Sequence, residues 1–278
     1  MRPLRLPLLG LALSLMVAVA ACGGAEPAPE PAAEAPAAVE VSAPAPIDPA
    51  ILNHPARSDD DHYRDAGIKP LELYAFLGIE PGMNVADLMP GGGYNTALIS
   101  QIVGGDGGVT AVLRPSPTDD AERVQRGRDG LEERMAPFEL TNLSIVADPT
   151  AFADGSVDLL LTVRNYHDLG LAADRIAALP EYLRILSPGG IFAVVDAYTD
   201  KPDERDESVH RINDELTKSE ITGAGFEFVE GSDMLMNPDD TFDFDGRERA
   251  GERGATEDAP IHRYYVSRFA HKYRKPLQ

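Results

Sequence analysis

The sequence of 278 residues has one cysteine, no tryptophan and few basic residues relative to acidic ones. A single cysteine excludes an intramolecular disulfide and a cysteine-based metal cluster. Lysine and arginine number 25 against 46 aspartate and glutamate residues, which gives a formal net charge of −21 at pH 7. A surface of that sign repels nucleic acid phosphates, so we expect no DNA or RNA partner. The acid excess is typical of a solvated, solubilising face.

The apolar run at the N-terminus is too short to span a membrane. Arg2 and Arg5 supply positive charge, Leu6–Ala21 form the run, and small residues lead to Cys22. This order is typical of a secretory signal. It resembles a bacterial lipoprotein lipobox, which implies a signal peptide at residues 1–21 and a lipid on Cys22. An ordinary cleaved signal with an incidental cysteine is the alternative.

The segment after this cysteine is composed almost entirely of alanine, proline and glutamate. Residues 22–50 cannot bury a core, and we expect them to form an extended tether. Residues 51–278 remain, enough for one well-packed domain. Gly23 stands where lipoproteins retained in the inner membrane commonly carry aspartate. The resemblance therefore implies anchoring to the lipid bilayer of the cell envelope, on the periplasmic face of the outer membrane.

Helical and apolar strand-like segments alternate along the domain. The predicted helices cover residues 58–66, 70–78, 94–103, 118–135, 171–186 and 205–224, and Pro180 is expected to bend or split the fifth. The predicted strands cover residues 83–88, 108–113, 142–147, 157–163, 190–197 and 261–273, with one more beginning at 226–229. Residues 237–260 read as a long charged loop. Strands that alternate with helices imply a parallel sheet covered on both faces.

A glycine turn follows the first predicted strand. The stretch DLMPGGGYN leads from Asp87 through Gly91, Gly92 and Gly93 to a helix that begins at Tyr94. Glycines allow a ligand to approach the backbone, and the N-terminal amides of the helix suit a carboxylate. In open α/β sheets, the ligand crevice lies at this end of the strands. A tight strand–helix turn that binds nothing is the alternative.

Four motifs occur along the chain in the order known from one enzyme family. They are Asp87–Gly93, Val146–Asp148, Ala153–Leu161 and Leu186–Gly190. Through them, residues 54–276 resemble class I S-adenosylmethionine-dependent methyltransferases. The resemblance implies an α/β fold: a Rossmann-like doubly wound sheet of about seven strands with the last strand antiparallel.

A narrower resemblance is to a group of exported, predicted methyltransferases of unassigned substrate. It rests on Arg164–His167, His210–Ile212, Asn237–Pro238 and Arg274–Pro276.

The family resemblance also implies S-adenosyl-L-methionine as the cofactor. The residues expected to bind it are Asp87, Gly91, Gly92, Gly93, Tyr94 and Asp148. In this scheme the methionine carboxylate meets the helix that begins at Tyr94, and Asp148 accepts from the adenine amino group. The alternative for Tyr94 is that its ring only packs against neighbouring residues. The alternative for Asp148 is a structural role in the turn before Pro149.

Two departures from the family pattern concern cofactor affinity. Met89 stands where many members carry glycine, and Leu113 and Arg114 stand where an acid usually holds the ribose hydroxyls. Each lost charge-assisted hydrogen bond weakens binding by about 1.5–3 kcal/mol. Asp119 or Asp120 is a possible substitute acceptor from the following helix.

The candidate catalytic residues follow the fourth predicted strand. Arg164 is suited to an anionic acceptor, Asn165 to orienting it, and His167 to taking a proton at neutral pH. Methyl transfer otherwise needs only alignment of the acceptor and exclusion of water. A hydrogen-bonded structural histidine is the alternative for His167, and a helix cap is the alternative for Asp168.

Three residues elsewhere in the chain are candidates for a lid or a substrate contact. His210 and Arg211 lie on a predicted helix that covers the crevice, or alternatively on a solvated face. His54 either closes over the cofactor or merely follows the tether. No metal site is predicted, because no HExxH-like spacing joins the histidines.

These observations favour a methyltransferase anchored in the cell envelope, acting on an unknown small-molecule acceptor. The alternative is a binding or scaffold lipoprotein that kept the fold and lost catalysis, since the ribose acid is missing and the cofactor is made in the cytosol.

Overall fold

The computed structural model describes residues 46–118, 120–170, 172–201, 205–206, 210–242 and 266–277. The predicted signal peptide, Cys22 and most of the predicted tether lie outside these residues. Ile47, near the end of that tether, already packs against the core, so the packed domain begins before residue 51. No helix within the described ranges is long and apolar enough to cross a membrane.

The described strands form one large sheet and a short hairpin. They are β1 (Asn84–Leu88), β2 (Gly108–Val112), β3 (Leu143–Val146), β4 (Val157–Val163), β5 (Leu186–Ala197), β6 (Arg205–Asp206), β7 (Arg211–Ile212), β8 (Glu227–Leu235) and β9 (Arg268–Arg274). The sheet has seven strands in the order β3-β2-β1-β4-β5-β9-β8, and β6 pairs with β7. Strands β1 to β5 are parallel, whereas β9 is antiparallel to β5 and β8. The predicted fold, with its antiparallel last strand, is confirmed.

The helices cover both faces of this sheet. They are α1 (Asp59–Ile68), α2 (Pro70–Leu77), α3 (Tyr94–Val103), α4 (Ala121–Met135), α5 (Ala172–Ile185) and α6 (Asp214–Gly223). Successive residues of β4 explain why both faces need cover. Leu160 packs into one core cluster, and its neighbours Leu159 and Leu161 pack into another on the opposite face. A continuous apolar run is what a strand buried on both faces requires.

Local capping explains several helix boundaries. Ser58 accepts a hydrogen bond from the Asp61 amide, and the Asp61 carboxylate accepts one from the Ser58 amide, which forms a capping box for α1. Gly78 ends α2 with φ of 76°. Helix α5 runs through Pro180 without a break. Pro180 and Ile176, whose carbonyl loses its partner, are both exposed, so water can satisfy that carbonyl.

The predicted helix over residues 205–224 is wrong in its first half. Residues 205–206 and 211–212 are strands, and the helix begins at Asp214. The side chain of Asn213 accepts from the amides of Glu215 and Leu216, which makes it the true N-cap. The segment before it is extended because Ile212 and Arg211 are fully buried. Tertiary burial therefore overrides the helical pattern.

The predicted strand at residues 261–273 is described only from residue 266. There it is a strand over Arg268–Arg274. The predicted loop at residues 237–260 is described only as far as residue 242.

Candidate functional site

The glycine turn joins β1 to α3 at the carboxyl edge of the sheet. Met89, Gly91 and Gly93 have positive φ values of 56°, 57° and 77°. A Cβ on Gly93 would lie 2.7 Å from Cε of Met135, so packing also requires glycine there. A Cβ on Gly91 would meet nothing within 4 Å. The turn is thus tight on its inner side and open on its outer side.

Asp87 lies beneath this turn. Its carboxylate accepts a 2.6 Å hydrogen bond from Oγ1 of Thr96 on α3, and its side chain is almost completely buried. Burial raises the pKa of Asp87 to about 6, against the lowering effect of the hydrogen bonds from Thr96. Asp87 therefore fastens α3 to β1. It does not line the clefts described next, so any contribution to ligand binding passes through the position of the helix.

Two clefts flank the glycine turn. We call the larger, of about 300 Å³, the His167 cleft; its lining residues are Arg64, Ile68, Met89, Pro90, Gly91, Gly92, Tyr94, Asn95, Val163, Arg164, Asn165, His167 and Asp168. We call the smaller, of about 190 Å³, the Arg114 cleft; its lining residues are Met89, Pro90, Gly91, Leu113, Arg114, Gly127 and Asn165. The two clefts share Met89, Pro90, Gly91 and Asn165, and we refer to both together as the crevice. Neither Met89 nor Tyr94 fills it.

Asn165 joins the tip of β4 to the glycine turn. Its Nδ2 donates to the carbonyl of Met89 at 3.0 Å and to the carbonyl of Val163 at 2.9 Å. Both amide donors are thereby used, so Oδ1 is the group that the side chain offers as an acceptor. The structure brings this predicted site residue directly against the turn.

His167 is buried and paired with carboxylates. Its Nδ1 lies 2.7 Å from Oδ1 of Asp196, its backbone amide donates to the same carboxylate at 2.8 Å, and its Nε2 lies 3.3 Å from Oδ2 of Asp168. Burial alone would lower the pKa of His167, but Asp196 and Asp168 outweigh it and raise that pKa to about 9. At pH 7 the ring is therefore a cation. It is suited to donating a hydrogen bond, whereas the predicted role of a neutral-pH base requires an uncharged ring.

Strained backbone surrounds this histidine. Arg164 and His210 have φ values of 59° and 50°. The ring of His210 packs edge-on against the ring of His167, with their centroids 5.8 Å apart. Left-handed φ at residues other than glycine costs about 1–3 kcal/mol and tends to occur at functional sites. This geometry supports a function for the His167 cleft.

Tyr94 closes the outer wall of that cleft. Its hydroxyl donates to Oδ1 of Asp65 at 2.5 Å, and Arg57 donates to both oxygens of Asp65 at 2.6 and 2.9 Å. The Arg57 guanidinium also lies 5.5 Å from the centre of the Tyr94 ring. Burial raises the pKa of Tyr94, so it remains a neutral phenol. This network holds α1 over the start of α3 and brings Arg64 to the crevice.

Arg114 lies at the tip of β2, where the family resemblance would place an acid. Leu113 is largely buried and lines the Arg114 cleft, where its apolar side chain offers no acceptor for ribose hydroxyls. Arg114 donates from Nη1 to the carbonyl of Leu113 at 3.2 Å, and its buried Nε has no hydrogen-bond partner. The Arg114 cleft thus presents a cation.

Six predicted site residues do not line the crevice, namely His54, Asp87, Gly93, Asp148, His210 and Arg211. Arg211 is fully buried and forms a bidentate pair with Asp240, with both distances 2.9 Å. It lies on a strand rather than on a helix or a solvated face. The ring of His54 stacks on Phe138 at 4.8 Å. The Asp148 carboxylate accepts hydrogen bonds from the amide and the hydroxyl of Thr150 at 2.9 and 2.5 Å. This is the alternative role for Asp148, in the turn before Pro149.

Sequence reasoning missed Arg64, Asp65 and Asp196. Asp196 carried a signal, since it is an acid within the apolar end of β5. Arg64 and Asp65 carried none beyond an ordinary charged helix. No group of three or more potential metal ligands occurs among the described residues.

Methyltransferases share local sequence similarity with this chain. A ubiquinone/menaquinone biosynthesis C-methyltransferase of Shewanella halifaxensis is 30% identical over 119 residues, which cover 43% of this chain and 44% of that protein. An uncharacterized methyltransferase of Synechocystis is 32% identical over 122 residues, covering 44% and 50%. An arsenite methyltransferase of Aquipseudomonas alcaligenes is 28% identical over 146 residues, covering 50% and 37%. The chain thus spans half or less of the length of these curated relatives, and no protein-family model matches it.

Solved structures show the same fold. A SAM-dependent methyltransferase from Aquifex aeolicus superposes with a TM-score of 0.54 at 16% identity, covering 78% of this chain and 99% of that chain. The cyclase SpnF superposes with a TM-score of 0.50 at 17% identity, covering 78% and 81%. The chain therefore has the Rossmann-like methyltransferase fold. Because one of these proteins is a cyclase, the fold alone does not determine the reaction.

Proposed function

We propose that this protein is an S-adenosylmethionine-dependent methyltransferase that binds its cofactor in the crevice beside the glycine turn. The observation that carries the proposal is the open outer side of that turn, next to the N-terminus of α3. Gly91 and Gly92 line the His167 cleft, and a Cβ on either would meet nothing within 4 Å. The local similarity to methyltransferases supports the same chemistry.

The residues present fit this cofactor in size, and the start of α3 fits the charge of its methionine carboxylate. Ligand pockets for molecules of this size typically measure about 300–1,000 Å³, and the two clefts measure about 300 and 190 Å³. The amides at the start of α3 suit the methionine carboxylate. Oδ1 of Asn165 offers an acceptor where the two clefts meet. The Arg114 cleft is the less favourable part, because it offers a cation where ribose hydroxyls need acceptors.

The cofactor would supply an activated methyl group, and the chain's own residues would align the acceptor and exclude water. Arg64 and Arg164 line the His167 cleft together with the protonated His167. Asp168 and Asp196 flank His167, and Asp60 pairs with Arg64, so Arg164 is the residue of this cleft best suited to an anionic small molecule. Because His167 is protonated at pH 7, we infer an acceptor atom that is already nucleophilic and needs no base.

Gly91→Val tests the cofactor site by filling the crevice. We expect the full chain to bind S-adenosylhomocysteine in isothermal titration, and the variant to bind it at least tenfold more weakly, because the new side chain occupies ligand space.

Gly104→Val is the matched control. Gly104 lies at the other end of α3 with φ of 65° and open space around it, so valine there is also placed at a positive φ but does not touch the crevice. Equal affinity in both variants, or no binding by the native chain up to millimolar concentration, would contradict the proposal.

Leu113 and Arg114 stand where an acidic residue usually holds the ribose hydroxyls. The absence of that acidic residue favours a non-catalytic binding protein instead. Transfer of labelled methyl groups to envelope extracts distinguishes the two, since only an enzyme moves the label.

We also propose that the protein is anchored in the cell envelope through lipid on Cys22, which rests on the sequence alone. Cys22→Ser should abolish incorporation of labelled palmitate and release the protein from the membrane fraction. Unchanged fractionation of this variant would count against the anchor.

A further inference from the structure

The Arg114 cleft is suited to a negatively charged ligand group, and the proposed reaction does not explain this. Its lining contains one charged residue, Arg114, and no carboxylate. None of the ion pairs among the described residues includes this arginine, and its buried Nε has no partner. A guanidinium remains charged in proteins. A protein with a formal net charge of −21 therefore holds, at the edge of its crevice, a cation that forms no ion pair with a described residue.

A second cation lies near Arg114. Burial lowers the pKa of Arg114, and Arg123 in the first turn of α4 lowers it further, whereas Asp120 raises it. Gly127 of α4 forms one wall and has no side chain to fill the space. The cleft thus combines room with a cation, and no carboxylate is among its lining residues.

The position of Arg114 determines which part of a ligand it meets. In Rossmann-like sheets, the side chain after the second strand faces the ribose of a bound nucleotide. An acid there binds free hydroxyls, and an arginine there accommodates a phosphate on the ribose. β2 pairs with β1 in parallel register, from Asn84 with Gly108 to Leu88 with Val112. Arg114 therefore stands beside the glycine turn at the ribose-facing position.

We propose that the Arg114 cleft is a subsite for a phosphate group, so that the crevice binds adenine nucleotides phosphorylated on the 2′ or 3′ position of the ribose. The assignment of adenine rests on the proposed function, whereas the assignment of phosphate rests on Arg114. Such nucleotides compete with the methyl donor for the crevice. The bidentate fit of guanidinium to phosphate supplies the selectivity.

The test is isothermal titration of the full chain with adenosine, adenosine 2′-monophosphate, adenosine 3′-monophosphate and inorganic phosphate at one ionic strength. We expect one monophosphate to bind at least tenfold more tightly than adenosine and than inorganic phosphate. Arg114→Gln should remove this preference, and Arg114→Lys should retain part of it. Arg114→Asp should reverse the preference, so that adenosine binds more tightly than the monophosphates. The same variant should bind S-adenosylhomocysteine about tenfold more tightly. Arg126→Gln, an exposed change on α4 with the same loss of charge, should leave the preference intact.

Three results would overturn the proposal: equal affinity for adenosine and both monophosphates, including no binding of any of them; a preference that survives Arg114→Gln; or inorganic phosphate binding as tightly as the nucleotides. Arg114 is half-buried at a strand tip, and an unchanged melting temperature shows that its variants fold. The outcome is independent of the proposed enzyme activity. Binding of S-adenosylhomocysteine without phosphate preference rejects only the subsite, and phosphate preference without S-adenosylhomocysteine binding rejects only the methyl donor.

Discussion

Glu220→Ala is expected to lower the free energy of unfolding by about 3–5 kcal/mol. Glu220 on α6 accepts two hydrogen bonds from Arg175 on α5, at 2.5 and 2.9 Å, and one from the Tyr166 hydroxyl at 2.9 Å. The side chains of Arg175 and Glu220 are 2% and 5% exposed, so the variant leaves an unpaired buried cation. The effect reaches the site, because Tyr166 begins the turn that contains His167. Urea denaturation at pH 7 measures it.

Glu215→Ala is the control for this prediction. Glu215 lies on the same helix and pairs with Lys218 at 3.4 Å, but its side chain is 72% exposed. An exposed pair of this kind contributes less than about 1 kcal/mol. The double variant Arg175→Met with Glu220→Leu should recover most of the loss, since it removes both charges. Equal losses for Glu220→Ala and Glu215→Ala would refute the assignment.

Raising the pH from about 6.5 to about 9 is expected to lower the free energy of unfolding by about 3 kcal/mol through His167. Its pKa is about 9 in the folded chain, against an ordinary value of 6.5. Because the folded value is the higher one, the folded state binds the proton more tightly. The resulting stabilisation is complete below pH 6.5 and is lost as the pH rises through the folded value. Denaturation at a series of pH values measures the slope.

His167→Gln should flatten this part of the profile. His62→Gln should not, because His62 is exposed on α1. Protonated Asp87, whose pKa is raised to about 6, also stabilises the folded state, and this stabilisation is lost as the pH rises through a lower pH range than that of His167. Burial lowers the pKa of His271, so that residue opposes folding only as the pH falls below its ordinary value. An unchanged slope in His167→Gln would show that His167 is not the ion-paired group.

The sequence predicts elements well where one local pattern decides them. β4 and α3 occupy the predicted residues 157–163 and 94–103. β4 is an apolar run buried on both faces, and α3 follows a turn that only glycine tolerates at Gly93. Residues 211–213 belong to the predicted helix, but the buried pair between Arg211 and Asp240 holds Arg211 in strand β7 instead. The two partners are 29 residues apart, and no local pattern connects them.

In the candidate site, too, local sequence patterns predicted some features, whereas contacts between distant residues decided the others. The glycine turn and the tip of β4 were predicted as parts of one crevice, because parallel strands end at a common edge. The charge state of His167 was not predictable, since it depends on Asp196 at the end of another strand. Asp65 acts on Tyr94 across 29 residues, and this contact exists only once α1 packs against α3.

The amino-acid sequence by itself determined the order along the chain of the helices and of the strands of the seven-stranded sheet, the glycine turn and the replacement of the ribose acid by Arg114. Each of these depends on residue type and on neighbours close in the chain. Only the tertiary structure decided that His167 is a cation, that Arg211 is buried rather than substrate-facing, and that Arg114 forms no ion pair with a described residue. Those properties depend on which charges lie within a few ångströms of one another, and folding brings together charges that are distant in the sequence.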